Sequence, residues 1–441
     1  MNLAYYYPVL FWNTANLIVD SGYIPEEEES DDEEAEEVVT SSSTNYGKIA
    51  SAVGNMQQRG VQVIPPSVNK SNWTFTPDPD ANKIIYGLKG ISFVGDTLIG
   101  EIMKGRPYKS FHDFNKRVKT DKRSMVNLIK SGAFNEFKPR EEVMEEYINL
   151  ISDTKKTINL RNANMLITQG LIPDELDMER KVFNFNKYIR KFLDKDRKVI
   201  ILDEIAFPFY EEHFDLDLLF PLPNGNYEIN EAKWKAIYDS YMNNLREYIK
   251  TNHDELLEKL NNKLTQEVRE KYAAGTAAQW SMDSVSFYQD EHELSNMDFF
   301  GNNIKKFYSL PKEPVVEKTF TSRQGYEVKL YELSKIAGTA IDRDKMKNEI
   351  TLLCTDGVVT VKAYGIMPYY DKQISEVDSN GVKKVIEKSM FTRGNKIIVC
   401  GIKTGEHEFL AKKYSRTPYH LVELITEVHE DGRLETSCRE T

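Results

Sequence analysis

Hydrophobic residues recur at helical spacing in the first sixty positions of the chain. Over residues 1–21 the recurring positions are Tyr5, Phe11, Trp12, Ala15, Leu17 and Ile18. Ser21-Gly22 is a typical helix stop, so the pattern predicts an amphipathic helix. The stretch YGKIASAVGNMQQRG predicts a second helix, closed by Gly60, and VQVIPPSVNKS predicts a short strand that Pro65-Pro66 terminates. These elements indicate a compact mixed domain over residues 1–86.

Two short apolar turns, each flanked by helix-length runs, follow. The first is ISFVGDTLI, with Gly95 at its bend and Asp96 in position to cap the next helix. The second lies in KRSMVNLIKSGAFNEF, with Ser131-Gly132 at its bend. The two turns predict a tandem helix-hairpin-helix domain over residues 87–140.

The pattern of charged and apolar residues changes twice more along the chain. Residues 141–313 are highly charged and helical in pattern, which predicts a helical connecting region. From residue 314 short apolar runs alternate with polar turns, and Thr355-Asp356-Gly357 is a strong hairpin signal. Such a pattern fits a small five-stranded barrel of the oligonucleotide/oligosaccharide-binding (OB) type over residues 314–441. The predicted fold class is multidomain α+β, with a mainly helical N-terminal two-thirds and a C-terminal OB-like β-barrel.

Net charge is −11, but one segment accounts for most of it. Ten of the twelve residues in EEEESDDEEAEE (26–37) are acidic, so the rest of the chain has a net charge of about −1. A block of like charges repels itself and cannot be buried, which predicts a disordered acidic insertion over residues 26–45. Its simplest role is a solvated spacer. The alternative is a mimic of DNA that shields a basic groove.

Positive charge is concentrated around the two hairpins. Residues 104–140 contain three acidic residues and eleven basic ones, namely Lys104, Arg106, Lys109, Lys116, Arg117, Lys119, Lys122, Arg123, Lys130, Lys138 and Arg140. Glycine at a hairpin turn removes the Cβ atom, so backbone N–H groups at the turn and at the next helix N-terminus can hold a phosphate. The predicted DNA-binding residues here are Gly90, Gly95, Gly132, Lys104, Arg106, Lys122 and Arg123, with Gly95 against a phosphate. The alternative is a pair of ordinary helix-joining turns with a solvated lysine face.

The barrel would add a second surface for DNA. OB domains hold single strands on the face of their second and third strands, with basic groups on the backbone and aromatic rings on the bases. Lys362 and Tyr364 are two residues apart on the predicted third strand and so share one side of it, and Arg343 and Lys347 lie in the preceding turn. Each of the four, taken alone, also fits an ordinary surface residue.

The sequence gives little support for several other classes of protein. Cys354, Cys400 and Cys438 lie far apart without a C-x-x-C pair, which argues against a disulfide framework or a zinc ribbon and suits a reducing cytoplasm. No apolar run approaches the roughly 20 residues of a membrane-spanning helix. The carboxylate pair DLD (215–217) has no third carboxylate motif for two-metal chemistry, and PDPD (77–80) fits a proline-locked surface turn. No phosphate loop or nucleophile elbow occurs. We therefore expect no catalytic residue, metal ligand or cofactor in this chain, and no membrane partner.

Three stretches follow one another in a characteristic order: AYYYPVLFWNTANLI, IASAVGNMQQRGVQVIPPSVNKSNWTF and IIYGLKGISFVGDTLIGEIMKGRPYKSFHDFNKRV. In that order they resemble the fingers region of the bacterial C-family replicative polymerase, the alpha subunit of DNA polymerase III. The stretch KRSMVNLIKSGAFNEF resembles the end of that family's tandem hairpins. MDSVSFYQDEHEL (282–294) resembles the Leu-Gly-Phe-Tyr/His-Pro-Leu segment that precedes its OB domain.

Some positions depart from the family pattern. Phe93 stands where the family usually has the first glycine of Gly-Val-Gly, which predicts a looser grip on phosphate at the first hairpin. Glu293 replaces the proline of the His-Pro-Leu segment, and the acidic run is an insertion. The segment NMDFF (296–300) is a poor variant of the clamp-binding pentapeptide and fits core packing better, so a sliding clamp stays an open question as a partner.

The resemblance implies a role in DNA replication. In this family the metal-binding aspartates lie in the palm, upstream of the fingers pattern on which this sequence opens. The expectation is therefore the C-terminal piece of a split polymerase from a bacterial or phage-infected cell, whose partner chain carries the palm and its Mg²⁺. Duplex and single-stranded DNA would be the other partners. The alternative is a non-enzymatic, DNA-binding replication accessory or regulator derived from a polymerase remnant; a nuclease would need a carboxylate cluster that we do not find.

Overall fold

The computed structural model describes residues 8–22, 44–289, 291–377, 383–387, 389–415 and 417–439. The acidic run at 26–37 lies outside the described residues, as does the part of the first predicted helix before Pro8. The chain divides into two compact units, one formed by Met1–Glu145 with Gly275–Thr441 and the other by Glu146–Ala274. Within the described ranges, no helix is long and apolar enough to cross a lipid bilayer.

The first unit opens with two helices and three short strands: α1 (Pro8–Asp20), α2 (Tyr46–Gln58), β1 (Gln62–Ile64), β2 (Thr76–Asp78) and β3 (Lys83–Ile85). Strand β3 lies between the other two, parallel to β1 and antiparallel to β2. The helix predicted before Gly60 and the strand predicted before Pro65 are thus confirmed. Both prolines follow β1 immediately, where the ladder ends.

The facing ends of α1 and α2 are fastened to each other. The backbone N–H of Asn45 donates to the carbonyl of Asp20 at 2.7 Å, and the hydroxyl of Thr44 donates to the carbonyl of Ser21 at 3.0 Å. We call this junction the neck. The neck thus joins the C-terminal end of α1 to the residues just before α2.

Four helices carry the hairpin region: α3 (Asp96–Gly105), α4 (Phe111–Arg117), α5 (Lys122–Lys130) and α6 (Arg140–Ile151). The core beneath them contains Phe114 and Phe134, whose ring centroids lie 5.0 Å apart. At the end of α5, Gly132 adopts a left-handed φ of +77°, which terminates the helix. The second predicted bend therefore lies at the expected residues.

The second unit contains five helices and a four-stranded antiparallel sheet. The helices are α7 (Ala163–Thr168), α8 (Asp177–Ile189), α9 (Phe207–His213), α10 (Glu231–Thr251) and α11 (His253–Tyr272). The strands are β4 (Leu193–Asp194), β5 (Val199–Leu202), β6 (Leu219–Pro221) and β7 (Tyr227–Asn230), in the order β4-β5-β7-β6. Trp234 lies at the centre of the core, with the ring of Phe185 5.3 Å away. The helical pattern of this region did not indicate the sheet, because its strands are only two to four residues long.

The first unit resumes with α12 (Ala277–Val285) and a separate hairpin of β8 (Val316–Thr321) and β9 (Glu327–Tyr331). The barrel strands are β10 (Ser334–Asp344), β11 (Glu349–Cys354), β12 (Gly357–Lys362), β15 (Lys396–Lys403) and β16 (Glu408–Ala411). Between β12 and β15 lie α13 (Met367–Tyr370) and the hairpin of β13 (Ile374–Val377) and β14 (Lys383–Glu387). Strands β17 (Val422–Val428) and β18 (Leu434–Ser437) extend the sheet beyond β15.

The barrel has OB topology. Its order is β10-β11-β12-β16-β15, and β15 pairs back onto β10 to close it. Strand β12 runs parallel to β16, and the other pairings within the barrel are antiparallel. The interior is filled by residues from every strand, among them Ile336, Ile350, Val359, Ile397 and Phe409. The predicted OB-like barrel is confirmed.

Helix α2 packs directly on the outside of the barrel. Gly54 faces β12 so closely that a Cβ on it would lie 2.6 Å from Cγ2 of Val358, and a Cβ on Gly47 would lie 2.2 Å from Cγ of Asp342 on β10. Ala50 between them is buried together with Leu353 of β11. These three small residues are spaced at 47, 50 and 54, so they share one helix face and let the helix approach the strands.

This packing covers part of the face on which OB domains hold single strands. Ile341, Leu353 and Val358 point outward from the first three barrel strands and are buried beneath α2 and the segment after α12. At the other end of the same face, the pairs Glu349–Lys362 and Thr351–Thr360 stay partly exposed. Among the described residues, that end is the part of the face that stays accessible.

Candidate nucleic-acid interface

The turn at residues 91–95, which leads into α3, is held from behind by α12. The backbone N–H of Ser92 donates to the carbonyl of Ser284 at 2.8 Å, and the hydroxyl of Ser92 donates to the carbonyl of Asp283 at 3.0 Å. The backbone and the side chain of Ser92 therefore fix the turn to two backbone carbonyls of α12.

The outer side of the same turn is open. Gly95 immediately precedes α3 and is exposed, and a Cβ on it would meet no atom within 4 Å. Phe93 has a φ of +63°, in the left-handed region that bulky residues rarely adopt, and it is 53% exposed. The turn thus presents an unobstructed backbone and one aromatic ring to solvent.

The N-terminus of α5 lies against this turn. The hydroxyl of Ser124 donates to the carbonyl of Phe93 at 2.7 Å. The guanidinium carbon of Arg123 lies 3.8 Å from the centroid of the Phe93 ring. Asp121 caps α5 by accepting hydrogen bonds from the backbone N–H groups of Arg123 and Ser124 at 2.8 and 3.0 Å.

Three of the predicted DNA-binding residues therefore meet at one place. We call the following four residues the hairpin surface: Phe93, Gly95, Lys122 and Arg123. Two carboxylates nearby are engaged in other contacts. Asp96 is 2.6 Å from Nζ of Lys89, and hydrogen bonds from the side chain and backbone of Ser124 hold the pKa of Asp121 below its ordinary value. The hairpin surface thus combines two cations with the N-terminus of α3, which no side chain caps and which attracts anions, whereas Asp121 already occupies the N-terminus of α5.

The other residues predicted in the hairpin region have different surroundings. Gly90 is buried, and a Cβ on it would lie 2.6 Å from an aromatic ring carbon. Gly132 is also buried, at the end of α5. Arg106 donates to the carbonyls of Val68 and Ser71 at 2.6 and 2.5 Å, and burial lowers its pKa. Packing and backbone tethering account for these three positions, whereas Lys104 is exposed on α3.

On the barrel, Arg343 and Lys347 lie at and just beyond the end of β10. Arg343 forms an ion pair with Asp371 and donates to the hydroxyl of Ser389 at 2.9 Å. Lys347 is exposed, and its Nζ lies 3.5 Å from a carboxylate oxygen of Asp344. The side chain of Arg343 is therefore fixed by its neighbours, and the side chain of Lys347 is less constrained.

Of the other two residues predicted on the barrel, Lys362 is held by ion pairs, whereas Tyr364 is exposed. Nζ of Lys362 lies 2.5 Å from the carboxylate of Glu349 and 3.5 Å from that of Glu408, and the hydrogen bond to Glu349 raises its pKa. Strand β12 ends at Lys362, so Tyr364 lies just beyond the strand on which it was predicted, and it is 59% exposed. The buried Ala363 between them keeps both side chains on the outer side.

A cleft of about 500 Å³ lies between the start of α2 and the barrel. Arg343 lines it together with Tyr46 and Arg393. The guanidinium carbon of Arg393 is 4.7 Å from the ring centroid of Tyr46, and burial lowers the pKa of Arg393. Sequence reasoning did not find Tyr46 or Arg393, because they are far apart in the chain and neither belongs to a motif.

Comparisons with known proteins agree with this geometry. A family model described as a helix-hairpin-helix motif matches residues 60–144. The probable DNA polymerase YorL of Bacillus subtilis (strain 168) is 40% identical to this chain over 450 aligned residues. The alignment covers 100% of this chain and 34% of that protein. The DNA-directed DNA polymerase of Bacillus phage SPbeta matches with the same identity and coverage. The alpha subunit of DNA polymerase III from Thermus aquaticus is 31% identical over 104 residues, 22% of this chain and 8% of that protein. The chain is homologous to part of a C-family DNA polymerase.

The predicted resemblance to the C-terminal part of a C-family polymerase is therefore confirmed. The chain spans about a third of the length of the two Bacillus relatives. The region with the helix-hairpin-helix match contains the whole hairpin surface.

The segment that resembles the C-family Leu-Gly-Phe-Tyr motif joins the hairpins to the barrel. Its first part holds the 91–95 turn through Asp283 and Ser284, as described above. Its second part reaches the barrel, where the hydroxyl groups of Tyr288 and Thr339 lie 2.8 Å apart. Glu293, which replaces a C-family proline, lies 3.2 Å from Nζ of Lys396 on β15. The barrel and the hairpins are therefore held by one continuous segment.

Ser286 occupies the glycine position of this C-family motif, and it should be replaceable by glycine with a gain in stability. It has a φ of +70° at the end of α12, and its buried hydroxyl has no hydrogen-bond partner among the described residues. Because glycine adopts this conformation without strain, we expect S286G to raise the free energy of unfolding by about 1 kcal/mol. Thermal unfolding measures the change. S284G is the matched control: Ser284 lies inside α12, so its replacement should destabilise, and equal losses in both variants would contradict the interpretation.

Proposed function

We propose that the chain is the DNA-binding C-terminal part of a split C-family replicative polymerase, whose catalytic palm belongs to a separate chain. The hairpin surface holds duplex product, and the exposed end of the barrel near Tyr364 contacts single-stranded template. One observation carries the proposal: an exposed glycine turn, two cations and the uncapped N-terminus of α3 meet at the hairpin surface of a C-family homologue. The complex acts in the cytoplasm of a bacterial or phage-infected cell.

Contacts of this kind recognise DNA without reading its sequence. The groups on the hairpin surface suit phosphate oxygens, and phosphates are the same at every base pair. A polymerase must hold its product whatever the template encodes. Binding with little sequence preference is therefore the behaviour that the proposal requires.

Metal chemistry is assigned to the palm chain. Nucleotidyl transfer uses divalent ions, and Mg²⁺ prefers carboxylate, carbonyl and water oxygens. In the part of the chain that the structure describes, one group of three side chains has ligand atoms within 4.8 Å of one another: Glu427, His429 and Glu435. It includes an imidazole, which suits other metals better, and it lies on the β17–β18 hairpin.

Salt dependence tests the phosphate contacts. The affinity of the purified chain for duplex DNA should fall linearly on a log–log plot against salt, with a slope of about 0.9 for each phosphate contacted. We expect a slope of at least about 2, since two cations lie on the hairpin surface, with similar values for unrelated sequences. An affinity that hardly changes between low and physiological salt would contradict the proposal.

Primer extension tests the split arrangement. The chain alone should not extend a primed template, whereas the complex purified from the native source should do so and should contain an aspartate-rich palm chain. If palm and hairpins are found in one polypeptide there, the split arrangement is wrong and the DNA-binding role stands. If neither sample extends a primer and no palm chain is present, the accessory role described next is favoured.

The second candidate function is a non-enzymatic replication accessory in which the acidic run competes with DNA. One observation favours it: Thr44 and Asn45, which follow the acidic run, line the same cleft as Arg343 and Arg393. Deletion of residues 26–37 separates the two functions. A spacer predicts an affinity change no larger than the altered net charge explains, and a competitor predicts a much larger gain.

A further inference from the structure

The hairpin surface contains a residue whose conformation is unfavourable and whose exposure is high. Phe93 has a φ of +63°, and the strain of that conformation is greatest for bulky side chains. The ring is nevertheless about half exposed, so packing inside the chain does little to offset the strain. Strained residues of this kind concentrate at functional sites.

The exposed ring supports a cation. Arg123 stacks over it with 3.8 Å between the guanidinium carbon and the ring centroid. The backbone of Arg123 is fixed on both sides, because its N–H donates to Asp121 at 2.8 Å and its carbonyl accepts from Asn127 at 2.9 Å. A stacked guanidinium keeps its N–H edge free for two hydrogen bonds to one phosphate. Among the described residues, no carboxylate forms an ion pair with it.

We propose, on the basis of the proposed function, that Phe93 and Arg123 form a clamp for one phosphate of duplex DNA. The ring of Phe93 holds the guanidinium plane in place, and its exposed edge lies against the adjoining deoxyribose. Gly95 leaves room for the backbone of the DNA at the N-terminus of α3. Phe93 is thus a positioning residue that acts through Arg123. The grip at this hairpin is tighter than the loss of the family glycine alone would predict.

Substitutions at residue 93 test the clamp, because they separate the ring from the backbone strain. F93G removes both, F93N removes the ring but keeps a side chain that tolerates a left-handed φ, and F93W keeps a ring. K198G relieves similar strain at an exposed residue of the second unit, where φ is +53°, and is the control. Thermal unfolding and equilibrium binding to a duplex are measured for every variant at three salt concentrations.

We expect F93G and F93N to unfold at the same temperature as the unaltered chain or higher, and to bind duplex about tenfold more weakly because Arg123 loses its support. F93W and K198G should each bind within about twofold of the unaltered chain. R123Q should lower the salt slope by about 1. F93N combined with R123Q should bind no more weakly than R123Q alone, because the ring acts through the guanidinium.

The outcomes distinguish this inference from the function on which it rests. If the unaltered chain binds DNA with a steep salt dependence and F93N binds equally well, the clamp is wrong and the DNA-binding role stands. Additive losses in F93N and R123Q would also overturn the clamp, since the ring would then act independently. If the unaltered chain does not bind duplex at all, the proposed function itself fails.

Discussion

Reversing both charges on the hairpin surface should abolish most of the affinity for duplex DNA. In the K122E/R123E variant two phosphate contacts become repulsive, so we expect binding to weaken roughly 100-fold at moderate salt and the log–log salt slope to fall by about 2. The fold should persist, because Lys122 and Arg123 are exposed and α5 is capped by the carboxylate of Asp121. Fluorescence anisotropy with a labelled duplex over a salt series measures both quantities.

The control must change net charge equally at a different place. K195E/K250E does so in the second unit, where both lysines are exposed. We expect this variant to bind within about threefold of the unaltered chain, because neither lysine belongs to the hairpin surface or to the barrel. If both double variants lose affinity equally, overall charge controls binding and the hairpin surface is not the contact.

The largest loss of stability is expected where α2 meets the barrel. In G54L the new side chain would have to occupy space that Val358 already fills, since even a Cβ would lie 2.6 Å from its Cγ2. The helix must move away from β12 and expose the cluster around Ala50, at a cost of roughly 2–3 kcal/mol. Chemical denaturation measures the loss. Hydrogen exchange should show it first in α2 and in β10 to β12.

A glycine in another helix provides the matched control for this prediction. Gly100 lies inside α3, and a Cβ on it would meet nothing within 4 Å. G100A should therefore stabilise the chain by roughly 0.5–1 kcal/mol through helix propensity alone, whereas G54A should destabilise it. If G54A were as favourable as G100A, close packing would not be the reason for glycine at position 54.

The elements that the sequence predicted correctly are those whose pattern is local. Alternating apolar residues on both sides of Thr355-Asp356-Gly357 predicted β11 and β12, and their hairpin joins residues that are neighbours in the chain. The strands of the second unit show no such local pattern in the sequence. Strand β5 pairs with β7 across more than twenty intervening residues, and neither is long enough to show an alternation.

The residues proposed to bind DNA differ in the same respect. Gly95, Lys122 and Arg123 could be predicted because a basic, glycine-containing turn has a recognisable composition. Arg106 has the same composition around it, but its guanidinium bonds to carbonyls more than thirty residues earlier in the chain. Phe93 was visible only as a departure from the family pattern. Its φ and its contact with Arg123 depend on the packing of α5 against the turn, which no local pattern encodes.

The neck makes the connection between α1 and α2 a permissive insertion point. Because hydrogen bonds join residues 20 and 21 to residues 44 and 45, the two helices are held in register whatever links them. Related chains are therefore free to carry linkers of other lengths there, and a fluorophore-binding tag should be accepted without disturbing the barrel. A single labelled copy placed at this point would report the assembly of the complex in living cells without changing any residue of the hairpin surface.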